Sequence, residues 1–398
     1  AEASKMLSMQ CRRIAAGPGR ILTSQSKRMM SYNLQEGAGF SIEGGRSSVS
    51  GLTATVFGCG GFLGRYVVNK IARVGTAVVV PHRIDDEDSV NHLRLMGDLG
   101  MIVEVPFDAR DEDTIAYAVE KSDVVVNLLG KHQPTMNYTL FASHVETAAN
   151  VAKVCKQVGV PHFIQVSALA ADRNSPSEFL RSKAWAEDEV KAHYPNATIV
   201  RPSIVFGEED RFLNLIAKWT KYFGMMPIIG NGDNKVAPVY VDDIAEGIRT
   251  IIFDKDLHGR TYEFAGKEAY TTRQIARFVQ EQIWMEHATV RGVPDMTHVL
   301  PKGYETLSPH SVVGGIADLG YRCWAEVLPG LPQLLGWRTD YHSLNTTSWV
   351  PNRNFLQLDD IGIEPQSLMT IGPEFLRHYR AGGNFAKMGE EKPKHMPW

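Results

Sequence analysis

The glycines of the segment GCGGFLG are the residues whose spacing points most directly to chemistry. Gly58 permits a tight turn from a strand into a helix, Gly61 lets the backbone approach a pyrophosphate, and Gly64 lets the helix pack against the sheet. The β-rich run TATVF precedes them and apolar residues at helical spacing follow, which is the context that this motif requires. The pattern predicts a dinucleotide-binding turn, and the alternative is a glycine-rich turn without a ligand.

Backbone amides of this loop are the predicted phosphate ligands. The amides of Gly61, Phe62 and Leu63 should lie at a helix N-terminus, where the helix dipole favours negative charge. Gly60 completes the predicted contacts of the loop. Cys59 lies among them, either as a reactive thiol at the helix N-terminus or as a small buried filler.

The end of the second predicted strand should select the nucleotide. NAD-binding folds usually have an acidic residue there, about 20 residues after the glycines, whereas this chain has Arg83. A guanidinium suits a 2′-phosphate, so Arg83 favours NADPH or NADP. The acids of residues 85–88 argue against a phosphate nearby, unless they point to water. The alternative is a solvent-facing arginine.

Three further residues follow predicted strands on the adenosine side. Asp108 could accept a hydrogen bond from the adenine amino group, or it could cap the helix that follows. Leu128 and Gly130 end the fourth strand, where the backbone would line the adenosine ribose.

The elements that must position these residues alternate between apolar strands and amphipathic helices. The predicted strands are 53–57, 76–81, 102–107, 124–130, 162–168, 197–206 and 236–241, and the predicted helices are 62–75, 88–99, 112–120, 142–158 and 242–253, with a short helical piece at 372–379. Such alternation predicts an α/β fold: a Rossmann-type doubly wound parallel sheet with a smaller C-terminal α/β portion.

The predicted domain organisation has three parts. Residues 45–265 form the NADP(H)-binding domain, 207–235 are a substrate-side insertion within it, and 266–398 form a smaller domain with an extended tail. Residues 1–44 precede them. Their first 30 residues carry six lysines and arginines against one glutamate, which is typical of an organelle transit peptide. A basic disordered tail is the alternative.

Composition excludes several classes of function. The 398 residues have a formal net charge of −3, which gives no reason to expect nucleic-acid binding. The sequence has no run of 18 apolar residues, the length needed to span a membrane. The four cysteines lie far apart, which argues against a disulfide framework and against a zinc site.

The fold and the glycine spacing resemble the short-chain dehydrogenases, whose chemistry needs serine, tyrosine and lysine together. Ser167 ends the fifth predicted strand, as the serine of that family would. The tyrosine and lysine, four residues apart in the family, correspond to Phe179 and Lys183. Phenylalanine cannot supply a proton, so the site is predicted to be degenerate, while Lys183 could still hold a ribose.

Longer motifs resemble the NADPH-binding accessory subunits of mitochondrial respiratory complex I, which are atypical extended short-chain dehydrogenases. The matching motifs are GRSSVSGLTATVFGCGGFLGRYVVN (45–69), LMGDLG (95–100), FDARDEDTI (107–115), VVVNLLG (124–130), EEDRFLN (208–214) and PVYVDDIA (238–245). By match to the family, Pro202 and Ile204 join the nucleotide contacts. The family's Ala-Thr is replaced here by Cys59-Gly60.

The resemblance implies a non-catalytic subunit that holds NADPH and supports assembly where the peripheral arm meets the membrane arm, near the ubiquinone-reducing region. It would lie on the matrix side of the inner membrane, with other complex I subunits as partners and phospholipid as a further contact. Two alternatives stay open: an NADPH-dependent reductase or epimerase with an unusual proton donor, and an NADP(H)-sensing regulator. The aromatic residues and methionines of 219–226 form either a partner-facing or lipid-facing surface, or ordinary core.

Overall fold

The computed structural model describes residues 49–83, 86–132, 137–175, 177–229, 232–285, 289–293, 347–352 and 354–380. The predicted transit peptide, and the extended tail beyond residue 380, lie outside these ranges. Among the described helices, none is both long enough and apolar enough to cross a membrane.

Seven strands form the main sheet, and all of its recorded pairings are parallel. The strands of the described residues, in the main sheet and in three two-stranded sheets, are β1 Thr53–Phe57, β2 Ala77–Arg83, β3 Ile102–Phe107, β4 Val124–Asn127, β5 His162–Val166, β6 Thr198–Pro202, β7 Val205–Phe206, β8 Met225–Ile229, β9 Lys235–Val236, β10 Val239–Tyr240, β11 Thr261–Phe264, β12 Tyr270–Thr271 and β13 Thr289–Val293. The order of the main sheet is β11-β6-β5-β4-β1-β2-β3. The strand order reverses at β1, as in dinucleotide-binding folds, and the predicted α/β fold is confirmed.

Eight α-helices accompany these strands in the described part of the chain. They are α1 Phe62–Ala72, α2 Glu112–Val119, α3 Thr147–Val158, α4 Glu178–His193, α5 Leu213–Phe223, α6 Val241–Phe253, α7 Thr272–Gln282 and α8 Leu368–Leu376. A single π-helical turn, Ala142–Glu146, leads into α3 and is called the π-turn below. Valine-rich strands buried on both faces need helices on both sides, which explains the layered arrangement.

The chain divides into two compact units. The first comprises residues 1–128 and 150–163, and the second comprises 129–149 and 164–398. The domain ranges expected from the sequence stay a prediction.

In the first unit, one predicted helix is wrong. Residues 88–99 form two short 3₁₀ turns, Glu87–Ser89 and Asn91–Met96. Of the second turn only Leu93 is buried, so the segment lacks the apolar face that would stabilise an α-helix. An ion pair from Arg94 to Glu104 of β3 holds the turn instead.

In the second unit, the predicted strand 197–206 is divided. The part β6 joins the main sheet, whereas β7 pairs with β10 in a separate two-stranded sheet. Pro202 is the last residue of β6 and pairs with Phe264 of β11, whose carbonyl accepts the N–H of the next residue, Ser203. Because proline has no N–H, it donates no ladder hydrogen bond of its own, and β6 ends at this residue.

An apolar cluster fills the second unit and includes residues of the predicted substrate-side insertion. Ile216 and Ala217 of α5 are fully buried in it, and Trp219 packs against it. Tyr222 of the same helix is 69% exposed. Core packing therefore accounts for Trp219, whereas a partner-facing role for Tyr222 stays a prediction.

Candidate nucleotide site

The glycine loop has a geometry that side chains would obstruct. Gly58 has a φ of 78°, and a Cβ built on it would lie 3.0 Å from the carbonyl carbon and oxygen of Leu128. A Cβ on Gly64 would lie 2.6 Å from the carbonyl oxygen of Cys59 and closer still to that of Gly58. Only glycine fits at these two positions, so the loop and the start of α1 approach each other closely.

The amides of the loop divide into two kinds. The Gly61 N–H donates to the Gly58 carbonyl at 3.1 Å, so this amide closes the turn, and its predicted contact with a phosphate stays a prediction. Phe62 and Leu63 begin α1, where backbone N–H groups have no carbonyl of their own helix to bind. A Cβ built on Gly60 would lie 3.4 Å from the carbonyl oxygen of Ser89. The N-terminus of α1 therefore suits an anion.

Cys59 is a buried filler. Its side chain is 1% exposed, and its Sγ lies 3.5 Å from the Pro81 carbonyl oxygen. Burial raises the pKa of the thiol to about 12, so it is not an activated thiolate at neutral pH.

Arg83 and Asp108 lie at adjacent strand ends of the first unit. Arg83 is the exposed last residue of β2 and pairs in register with Phe107, the last residue of β3. Asp108 follows directly and is also exposed, and its carboxylate accepts the Arg110 N–H at 3.0 Å. The cap of α2 is Asp111, so the alternative role of Asp108 as that cap is wrong.

In the second unit, Lys183 is a buried cation. It lies in α4, is 8% exposed, and forms no ion pair with any residue that the structure describes. A Cβ on Gly130 would lie 3.1 Å from its Nζ, so the ammonium occupies the space that glycine leaves open. Burial lowers the pKa of Lys183 to about 8, against the opposing effect of the Glu187 charge.

The position predicted to correspond to the dehydrogenase tyrosine holds an aromatic ring without a hydroxyl. Phe179 lies one turn before Lys183, is 6% exposed, and stacks on His132 with ring centroids 5.6 Å apart. His144 contacts its edge at 5.4 Å. The ring can exclude water, but it can neither give nor take a proton.

Ser167 has a buried hydroxyl with unused hydrogen-bonding capacity. It follows β5, is 6% exposed, and its Oγ has no partner among the described residues. A buried hydroxyl without a partner is costly, and a bound polar ligand would remove that cost. Pro202 is buried at the end of β6, and Ile204 packs against the apolar cluster. Their predicted contacts with the nucleotide stay predictions.

Each unit, considered by itself, fits part of a nicotinamide dinucleotide. In the first, the loop without Cβ atoms and the N-terminus of α1 suit a pyrophosphate, and Arg83 suits a phosphate. In the second, Lys183 and Ser167 suit a group rich in hydroxyls. No cluster of metal-ligating side chains occurs among the residues that were described.

Sequence reasoning missed His144 and Ser182. Both are buried, and the Nδ1 atom of His144 lies 2.7 Å from the Ser182 Oγ. Ser182 could have been found, because residues three and four positions after Phe179 share its face of a helix. Nothing in the sequence around His144 distinguishes it from an ordinary helix residue.

Comparison with known proteins agrees with this geometry. Residues 58–223 match the family model described as NAD(P)H-binding. The fold is similar to a nucleoside-diphosphate-sugar epimerase from Staphylococcus aureus, with a TM-score of 0.54 and 16% identity, over 80% of this chain and 99% of that one. At that identity the likeness shows the fold alone.

Two curated relatives are similar over most of their length. NADH dehydrogenase (ubiquinone) 1 alpha subcomplex subunit 9, mitochondrial, of Arabidopsis thaliana is 38% identical over 88% of this chain and 83% of its own. The NADH-ubiquinone oxidoreductase 40 kDa subunit, mitochondrial, of Neurospora crassa is 34% identical over 86% of this chain and 84% of its own. With its NAD(P)H-binding domain, the chain belongs to the subunit 9 family of the alpha subcomplex of mitochondrial NADH dehydrogenase (complex I).

Proposed function

We propose that the chain is a non-catalytic accessory subunit of complex I that holds NADPH as a structural ligand and supports assembly. Its place would be the matrix side of the inner membrane, near the ubiquinone-reducing junction of the peripheral and membrane arms. The observation that carries the proposal is the buried phenyl ring of Phe179, at the position predicted for the proton-donating tyrosine. Membership of the family supports the assignment to the complex.

The residues of the chain would hold the nucleotide in parts. Arg83 would pair with the 2′-phosphate, and the N-terminus of α1 would face the pyrophosphate. Asp108 would accept from the adenine amino group, the backbone of Leu128 and Gly130 would line the adenosine ribose, and Lys183 would donate to ribose hydroxyls. NADPH, when bound, supplies a hydride donor. Phe179 offers no acid to accompany hydride transfer, so the ligand would be held without being consumed.

A firmly held ligand would stabilise the folded chain. A ligand that binds only the folded state raises the free energy of unfolding by about 2.7 kcal/mol at one hundred times its Kd. Binding would also compensate the unpartnered Ser167 hydroxyl and the buried Lys183 ammonium. The partners would be other subunits of the complex, with phospholipid at the membrane surface as a further contact of the exposed aromatic residue Tyr222.

Turnover by the purified chain tests the proposal. We expect the chain to bind NADPH and to oxidise it at well below about 1 s⁻¹ with a panel of carbonyl substrates, because no proton donor stands at position 179. A Phe179→Tyr variant restores the hydroxyl, and Phe141→Tyr, at an exposed site, is the matched control. Absorbance at 340 nm measures turnover, and fluorescence measures binding.

The outcomes distinguish the alternatives. Turnover by the unmodified chain above about 1 s⁻¹ would contradict a structural role and favour the reductase or epimerase. Binding without turnover, in a chain that never enters a large complex, would favour the NADP(H)-sensing regulator.

A further inference from the structure

His144 joins three parts of the second unit that the sequence does not relate. It lies in the π-turn before α3, and π-turns of this kind occur frequently at functional sites. Its Nε2 lies 3.1 Å from the backbone nitrogen of Lys131, in the segment after β4. Its Nδ1 lies 2.7 Å from the Oγ of Ser182 in α4.

The partners of His144 determine its tautomer. A backbone N–H can only donate, so Nε2 accepts from Lys131 and carries no proton. A neutral ring then carries its proton on Nδ1 and donates to Ser182, whose hydroxyl donates in turn to the Phe179 carbonyl at 2.9 Å. Burial, and then the nearby Lys183 charge, hold the pKa of His144 well below its ordinary value, so the ring stays neutral. In each of the three hydrogen bonds, the donor and the acceptor are therefore fixed.

The Lys183 ammonium and the His144 ring both lie next to Gly130. The space above Gly130 that a Cβ would occupy lies 3.1 Å from the Lys183 Nζ and 3.3 Å from the His144 Nε2. The charged or titratable groups that act on this pair are Glu187 of α4 and His132 of the segment after β4. A neutral His144 therefore lies close to the cation without repelling it.

We propose that His144 is a positioning residue: its links to Lys131 and to Ser182 fix the Gly130–Lys131 backbone against the turn of α4 that carries Lys183, so that Lys183 can bind a ribose of the nucleotide. The inference rests on the proposed binding of NADPH. It assigns a role in binding to a residue that touches no reacting atom. The competing explanation is a core histidine that only stabilises the fold.

The pH dependence of NADPH affinity separates the two explanations. Lys183 binds as an ammonium ion, so affinity should be constant at low pH and fall as the pH rises through about 8, where the buried amine loses its proton. If the links from His144 are lost, the Gly130–Lys131 backbone is no longer fixed against α4, and we expect water to reach the Lys183 side chain. Its pKa then returns toward its ordinary value of 10.5, and the fall in affinity moves to higher pH.

The experiment measures the NADPH Kd of the full chain between pH 6 and 10. We expect His144→Leu to weaken binding at pH 7 by about tenfold to hundredfold, the range for losing the charged hydrogen bond from Lys183 to the ribose, and to move the fall in affinity upward from pH 8. His144→Gln keeps an acceptor for Lys131, and His144→Asn keeps a donor toward Ser182, so each should recover part of the affinity. The control is His193→Gln, at the exposed end of α4.

Urea unfolding at pH 7 identifies variants that do not fold, and Ser182→Ala then replaces His144→Leu, because it removes the same link from the other side. Wild-type affinity and an unchanged fall near pH 8 in all folded variants would overturn the inference. So would a loss of affinity without any displacement of that fall, because a purely structural role predicts it. Failure of the unmodified chain to bind NADPH at any pH would instead overturn the proposed function, and this inference with it.

Discussion

At the scale of single residues, Arg83 is the side chain proposed to select the nucleotide. The carboxyl ends of parallel strands meet at one edge of a sheet, and Arg83 and Asp108 lie there on neighbouring strands. The exposed guanidinium is available to a ligand from solvent. Of the acids at residues 85–88, Asp86 and Asp88 are exposed to water, so their charges are screened within about 8–10 Å.

Replacing Arg83 tests the choice between NADPH and NADH. We expect Arg83→Met to weaken NADPH binding by about tenfold to hundredfold, since a hydrogen bond to a charged group contributes about 1.5–3 kcal/mol. NADH affinity should change by less than about threefold, because NADH has no 2′-phosphate. Isothermal titration with both nucleotides measures the difference.

A second exposed arginine of the same unit provides the control for the loss of positive charge alone. Arg73 is exposed just after α1, and Arg73→Met makes the same chemical change elsewhere in the first unit. An equal loss of NADPH affinity in the two variants would contradict a specific role for Arg83. An equal loss of affinity for NADPH and for NADH in Arg83→Met would also contradict it.

At the scale of elements, the glycine loop and α1 form one packed piece of backbone. Gly64 lies in the first turn of α1 and contacts the loop that precedes it so closely that any side chain must displace backbone. Helix propensity favours the opposite change, because alanine is better than glycine in a helix by about 1 kcal/mol. The two effects predict opposite signs for one substitution.

Gly64→Ala decides which effect dominates. We expect the substitution to lower the free energy of unfolding by about 1–3 kcal/mol, the usual cost of overpacking, and to weaken NADPH binding as the loop shifts. Urea denaturation measures the first, and fluorescence titration the second. A free energy of unfolding higher by up to about 1 kcal/mol, with unchanged NADPH affinity, would show that the loop accommodates the methyl group without strain and that helix propensity dominates.

Gly100→Ala is the control for backbone strain without close contact. Gly100 has a φ of 83°, and a Cβ there would meet no atom within 4 Å. Its expected cost is about 1–2 kcal/mol, from the left-handed conformation alone, without any change in NADPH affinity.

At the scale of the whole molecule, the central prediction is assembly. Native electrophoresis of mitochondria in mild detergent should place this chain in a very large band that oxidises NADH, as membership of the subunit 9 family implies. Mass spectrometry of the excised band identifies the chain, and nucleotide extraction shows whether NADPH accompanies it. Migration solely as a small soluble species would contradict a role as an assembled subunit.

The local sequence pattern was sufficient to predict those strands whose apolar residues lie within one short run of the sequence. The strands 53–57 and 102–107 were predicted with the observed bounds, because short valine-rich runs between turn residues have few other stable conformations. It failed at residues 88–99, where helical spacing does not compensate for the absence of a buried face. It failed also at residues 197–206, where one apolar run is divided after Pro202 between the main sheet and a separate two-stranded sheet.

The amino-acid sequence by itself determined the dinucleotide-binding fold and the glycine turn, and it predicted Phe179 in place of the tyrosine, because these depend on residue type and on spacing along the chain. Only the tertiary structure decided that the Gly61 amide closes the turn, that Cys59 is an unreactive filler, and that His144 is bound between Lys131 and Ser182. The reason is physical: tautomers, pKa values and hydrogen-bond partners depend on burial and on neighbours far apart in sequence.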